Sequence, residues 1–162
     1  MTARTASPSP SAFVTELTEH ARTWADVTLT PHPTRAVAFQ IDDAVIGVLQ
    51  HDGWLDVPVP PPIRTVLVNE NLAIAAPGRP DADWVSSRVK TAEDVRPATL
   101  LLRLSYLYRR LLRSPDAAAL QRIKVELDQY VLSPSLQTVY ETMLDKRRAG
   151  LPSDPPPSPS NA

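Results

Sequence analysis

Two runs with period-two alternation, residues 35–41 and 44–50, are separated by only Asp42 and Asp43. A two-residue connection has no room for a crossover helix, so the two runs must pair antiparallel in a tight hairpin. Aspartates tolerate the unusual φ that such a turn demands. An unbulged hairpin of this length sets Phe39 opposite Ile46 and Val37 opposite Val48 on one face. His51, Asp52 and Gly53 form a second turn signal, after which residues 54–59 read as a third short strand. Residues 27–30 and 84–90 have the same strand-like character. Strands joined by turns and not by helical crossovers place the chain in the α+β class.

The helices are bounded largely by proline. Of the 18 prolines, seven lie in the Ser/Pro-rich ends, 1–10 and 151–162, which carry too little apolar surface to offset the entropy of ordering and read as flexible tails. The other eleven stand between periodic segments, where a fixed φ and a missing N–H act as punctuation. Phe13, Val14, Leu17, Ala21 and Trp24 recur at helical spacing over 11–25, with Ser11 as N-cap. A second helix is expected over 62–72, opened by Pro62. Thr91 and Asp94 resemble a capping box ahead of the longest helix, which runs to Arg113. Pro97 means that this helix kinks or starts nearer Arg96. Helices over 117–131 and 134–150 follow, the last closed by Gly150 at C′. The expected architecture is a small antiparallel sheet with a tight hairpin, packed against an N-terminal helix and C-terminal helices, in a single domain over 11–150.

Composition removes several chemistries. With no cysteine there are no disulfides, thiolate metal sites or cysteine nucleophile. The four glycines are scattered singly at 47, 53, 78 and 150, so no phosphate-cradling loop can be written. A net charge of −1 gives no general attraction to nucleic acid or anionic lipid. The longest apolar run, 44–49, is far short of the roughly 20 residues that span a bilayer. The N-terminus lacks the apolar region of a signal peptide. The expectation is a cytoplasmic protein with no membrane association, no cofactor and no metal.

The stretch PHPTRAVAFQIDDAVIGVLQHDGWLDVPVPPPIRTVLV, followed by DADWVSSRVKTAEDV and LLLRLSYLYRRLL, resembles the small luciferase-domain family, a domain of unknown function, over about residues 31–112. The most specific part is WVSSRVKTAEDVRPATLLLRLSY, with Trp84, Val85, Ser86, Glu93, Asp94, Leu102, Arg103, Leu104, Ser105 and Tyr106 similar to the family pattern. Two departures stand out. Where the family reads Pro-His-Arg-Phe-Gly-Gly, this chain has Pro31, His32, Pro33, Thr34, Arg35 and Ala36; where members often read Gly-His-x-His-Gly, it has Gly47, Val48, Leu49, Gln50 and His51. The resemblance thus implies that a site built on that histidine pair is lost here or moved to His51. The family label implies light emission by name only, since no flavin or chromophore motif is present. A weaker architectural similarity links the element order to MmcQ/YjbR-like domains, which suggests nucleic-acid binding as a second class.

Few side chains offer chemistry. His51 and Asp56 are the catalytic candidates, an imidazole base with a nearby carboxylate and with His32 as a further contributor. The bland reading makes His51-Asp52-Gly53 a solvated turn. Asp81 and Asp83 could pair, or simply keep a loop soluble. Ser86 and Ser87 are nucleophiles only if a base reaches them; Ser105 reads as a buried, backbone-bonded serine. On the long helix Thr99, Arg103, Tyr106, Arg110 and Arg113, with Arg109, form a basic stripe able to grip phosphates, or one that merely suits the helix dipole. Trp24, Trp54 and Trp84 could meet in the core or line a cleft. The ligand-binding candidates are Trp54, Trp84, Arg103, Tyr106 and Arg110. The leading expectation is a noncatalytic domain that binds a small ligand or a protein partner. An enzyme using His51 and nearby carboxylates, and a nucleic-acid-binding module using the Arg stripe, are the alternatives. Apolar stripes in 115–150 raise self-association.

Overall fold

The computed structural model of the chain describes residues 10–31, 36–78 and 83–151. The expected flexible tails lie outside these residues, except for Pro10 and Leu151. The chain divides into two compact units, Met1–Arg110 and Leu111–Ala162.

The first unit contains α1 (Pro10–Arg22), β1 (Val27–Pro31), β2 (Val37–Ile41), β3 (Ala44–Leu49), β4 (Trp54–Pro58), α2 (Pro61–Asn69), β5 (Ile74–Ala75), β6 (Trp84–Arg88) and α3 (Ala92–Arg113) up to Arg110. The six strands form one antiparallel sheet in the order β1-β2-β3-β4-β6-β5. The class is α+β, as the tight turns require.

The hairpin forms where expected. Asp42 takes φ 50° in the turn and Ile41 pairs with Ala44. Its register differs from the unbulged one. Gln40 pairs with Val45 but Phe39 pairs with Gly47, so Ile46 is an extra residue in β3. Val37 consequently faces Leu49, not Val48, and Val48 faces Ala38. The bulge sets the fully buried Phe39 against a glycine instead of a bulky isoleucine. The space above that glycine is used by α3: a Cβ built on Gly47 would lie 2.5 Å from Leu102 Cδ1. Phe39, Leu49, Leu55 and Leu102 are all buried to 1 % exposure or less, so this is the core face of the sheet. Ser105, fully buried, donates to the Pro58 carbonyl at 2.9 Å and fixes α3 along β4.

The helix ends follow local chemistry. α1 begins one residue earlier than expected, so Ser11 lies inside the helix. α1 ends at Arg22, and the Thr23 and Trp24 amides donate to His20 and Ala21 carbonyls as the chain turns. α2 stops at Asn69 because Asn71 adopts φ 56°: the Asn71 and Leu72 amides donate to the Val68 and Leu67 carbonyls, a Schellman motif with asparagine in the glycine position. The turn delivers the chain into β5, a two-residue strand too short for periodicity to announce. α3 starts at Ala92, not at Arg96. Pro97 is exposed in its second turn, where the Glu93 carbonyl it leaves unbonded can be hydrated. Asp94 Oδ2 accepts the Lys90 and Thr91 amides at 2.8 and 2.9 Å, the reciprocal arm of the expected capping box.

The second unit carries the end of α3, α4 (Ala117–Asp128) and α5 (Pro134–Ala149). Asp116 caps α4 by accepting the Ala119 amide at 2.8 Å, and Ser133 caps α5 through the Leu136 amide at 3.2 Å. Leu120, Ile123 and Leu127 on α4 and Leu136, Tyr140 and Leu144 on α5 are the buried faces of two helices that contact each other. Gly150 caps α5 with φ −85°, so it is a right-handed C-cap and not the left-handed C′ residue expected.

Two outcomes follow. Gly47→Ala forces Leu102 to move and is expected to destabilise the protein by about 1–3 kcal/mol. Gly53→Ala is worse, because its φ is +95° and the new Cβ would lie 2.3 Å from the Val89 carbonyl oxygen, which cannot swing aside; denaturant titration of both variants tests the order. The second concerns pH. The Lys90 amide, then the Thr91 amide, hold the Asp94 carboxyl below its ordinary value of 3.8. A lowered carboxyl stabilises the fold fully above the unfolded value and loses that contribution as pH falls through the folded value. An NMR titration should therefore show Asp94 protonating below 3.8, and Asp94→Asn should flatten the acid limb of the stability profile.

Candidate functional site on the open face of the sheet

Side chains that point away from the core face form one continuous row. Thr30 pairs with Ala38, Ala38 with Val48, Val48 with Asp56, Asp56 with Ser86, and Ser86 with Ile74, so the row crosses all six strands. Asp56 is its single ionisable member. The carboxylate is half-buried, and Ser86, at 1 % exposure, donates to Oδ1 at 2.5 Å. Gln50 Nε2 donates to Oδ2 at 3.3 Å from the end of β3. A carboxylate at the centre of an otherwise uncharged row is costly unless such donors hold it.

The neighbouring pairs of the β4·β6 ladder complete the surface. Trp54 faces Arg88 on one side of Asp56–Ser86, and Pro58 faces Trp84 on the other. Arg88 lies over the Trp54 ring, 5.6 Å from its centroid. Trp84 packs against the buried cluster of Ala36, Ala38 and Val48. Two half-buried indoles thus bracket one carboxylate, with Ile74, 49 % exposed, at the sheet edge.

Of the residues singled out from sequence, Trp54, Asp56 and Trp84 come together here. His51 is exposed in the β3–β4 turn at the Trp54 end, next to Gln50. Asp52 in the same turn accepts the Trp54 amide at 3.3 Å. The three tryptophans do not share a core: Trp54 and Trp84 stand at opposite ends of the ladder, and Trp24 lies against α3. His32 and Asp81 lie outside the described residues. Asp83 is exposed, and its carbonyl accepts the Val59 amide.

Arg103, Tyr106 and Arg110 assemble elsewhere. The Arg103 guanidinium sits 4.7 Å from the Trp24 ring and 4.5 Å from the Tyr106 ring. Tyr106, 2 % exposed, donates its hydroxyl to the Ala25 carbonyl at 3.0 Å. Arg110 donates to that hydroxyl at 2.9 Å and lies 3.6 Å from Asp26, whose φ is 64°. These three members of the stripe expected on α3 form a packing seam that clamps the α1–β1 turn. A buried tyrosine covered by Arg103 offers no face for base stacking.

The sequence alone does not single out Arg88 and Ile74; it marks Gln50 only as a departure from the family's histidine pair, and Ser86 as part of the family pattern and as a conditional nucleophile. The signal lay in two similar strands, WLDVP and WVSSR, which in antiparallel pairing bring Asp56 to Ser86 and each Trp to the far end of the other strand. Among the described residues no group of three or more His, Cys, Asp or Glu side chains converges as a metal site. No described helix is long and apolar enough to cross a membrane. In the second unit a groove of about 110 Å³ lies over Leu127, Leu132 and Tyr140, and its Lys124 and Asp128 are paired with each other at 3.3 Å.

Neither the curated proteins nor the solved structures contain a match to this chain. The family described as Luciferase domain matches residues 43–105, the segment that carries β3, β4, β6 and the Gln50, Ser86 and Arg88 side chains around Asp56.

Proposed function

We propose that the protein is a noncatalytic binding domain that takes a small organic ligand on the open sheet face, with Asp56 as its polar anchor. The observation that carries this reading is the Asp56 carboxylate itself, half-buried in an uncharged row and oriented by Ser86 and Gln50. A carboxylate has about four lone-pair directions. Two are met by these donors, which leaves acceptor capacity toward a ligand's N–H or O–H. Trp84 and Ile74 supply apolar surface beside it. A few placed polar groups among apolar walls are the usual make-up of a small-ligand site.

The residue exchanges support binding without catalysis. In the luciferase-domain resemblance, positions 48 and 50 are those where members often carry histidine. Here they are Val48, opposite Asp56, and Gln50, bonded to it. Neither the alkyl side chain of Val48 nor the amide of Gln50 can take up or release a proton there. Ser86 lies beneath the carboxylate at 1 % exposure, where its hydroxyl orients Asp56 instead of meeting a substrate.

Screening aromatic amines, phenols and aromatic acids by saturation-transfer NMR and calorimetry tests the reading. Binders should combine a ring with an N–H or O–H donor. A hydrogen bond to a charged group contributes about 1.5–3 kcal/mol, so Asp56→Asn should weaken binding about tenfold or more. Arg110→Gln, in the α3 seam, should leave it unchanged. A screen without binders, or binding indifferent to Asp56→Asn, contradicts the proposal.

A further inference from the structure

We infer that the ligand class of the Asp56 site is the free aromatic α-amino acid; this rests on the binding reading above and adds which groups the ligand must carry. The ladder presents three kinds of partner in order on one face: the Arg88 guanidinium, the Asp56 carboxylate and the Trp84 indole. Successive same-face positions along a strand are about 7 Å apart. All three therefore lie within the reach of one small molecule, and the long Arg88 side chain can extend toward Asp56.

Each partner selects a group. Asp56 accepts from an ammonium, which satisfies its remaining acceptor directions and its charge. Trp84, seated on Ala36, Ala38 and Val48, offers a fixed aromatic surface on which a ring can stack. Arg88 is exposed and held on this face by the Trp54 ring, so it is placed to meet a ligand carboxylate lying beside the ammonium. An aromatic acid without the amine could meet Arg88 but would hold its negative charge near Asp56 with no ammonium between the two carboxylates. An aromatic amine without the acid would leave Arg88 unused. A zwitterion with a ring at one end meets all three, and a net-neutral ligand suits the one cation, Arg88, and one anion, Asp56, of this ladder face among the described residues.

Calorimetric titration of the full chain with L-phenylalanine, phenethylamine and 3-phenylpropionate separates these contributions. L-Phenylalanine should bind tightest, phenethylamine about two- to fivefold weaker because an exposed ion pair contributes little, and 3-phenylpropionate not measurably. Arg88→Gln changes an exposed side chain, so it should fold normally; it should bring L-phenylalanine down to the phenethylamine affinity while leaving phenethylamine unaffected. Asp56→Asn should weaken both. If phenethylamine binds as well as L-phenylalanine, or Arg88→Gln leaves L-phenylalanine untouched, the amino-acid assignment is overturned while the Asp56 anchor stands. If none of the three binds, the assignment is also overturned, and binders of other chemistry that respond to Asp56→Asn would show the anchor intact.

Discussion

The pairing of β4 with β6 is the constraint on which the open face depends. It joins residues about thirty positions apart, and its register brings Asp56 opposite Ser86. A shift by one residue would turn every side chain of a strand to the other face. Asp56 would then point among Phe39, Leu49 and Leu102, where a carboxylate without donors is strongly disfavoured. The hydrophobic pattern of the two strands and the Asp56–Ser86 hydrogen bond therefore select the same register. Leu55, Val57 and Val85 go to the core face at 0 % exposure while Trp54, Asp56 and Trp84 remain half-accessible.

The core face has its own requirement, and it is met by the bulge in β3. Gly47 opposite Phe39 opens the space into which α3 inserts Leu102, and Ser105 ties the same helix to the Pro58 carbonyl. About one helical turn before Tyr106 and one turn after it, Arg103 and Arg110 bracket its ring and hold the turn that links α1 to β1. The charged residues of this part of α3 thus strengthen packing through cation–π contact and hydrogen bonds. The half-buried Asp56 carboxylate, held by Ser86 and Gln50, lies on the opposite face of the sheet. That division of labour is the physical reason to look for ligand binding at Asp56 and not along the helix.

Local features were readable from the chain alone. The Asp42–Asp43 turn, the capping role of Asp94, the proline-led α5 and the α+β class all depend on neighbours within a few residues. The buried, backbone-bonded Ser105 was also legible, because helical spacing places it on the leucine face. What was not legible depends on distant partners. The bulge at Ile46 answers to the bulk of Phe39 and the approach of Leu102, and no hairpin rule contains α3. The stripe of Arg103, Tyr106 and Arg110 has helical spacing suited to solvent, yet Trp24 arrives from another element and converts it to a packing seam around the buried Tyr106. Half of the candidate site was visible as Trp54, Asp56 and Trp84. Gln50, Ser86 and Arg88 acquire their roles only through cross-strand registers that periodicity does not encode.

The central claim is that the row through Asp56, and not the α3 seam, is the surface that meets ligand. The most direct measurement is amide and indole chemical-shift mapping of the isotope-labelled protein on titration with L-phenylalanine. The account predicts shifts concentrated at 48–50, 54–58, 74–75 and 84–88, with both the Trp54 and Trp84 indole N–H signals moving and Trp24 unmoved. Shifts centred on Trp24 and residues 103–110, with β4 and β6 silent, would contradict it.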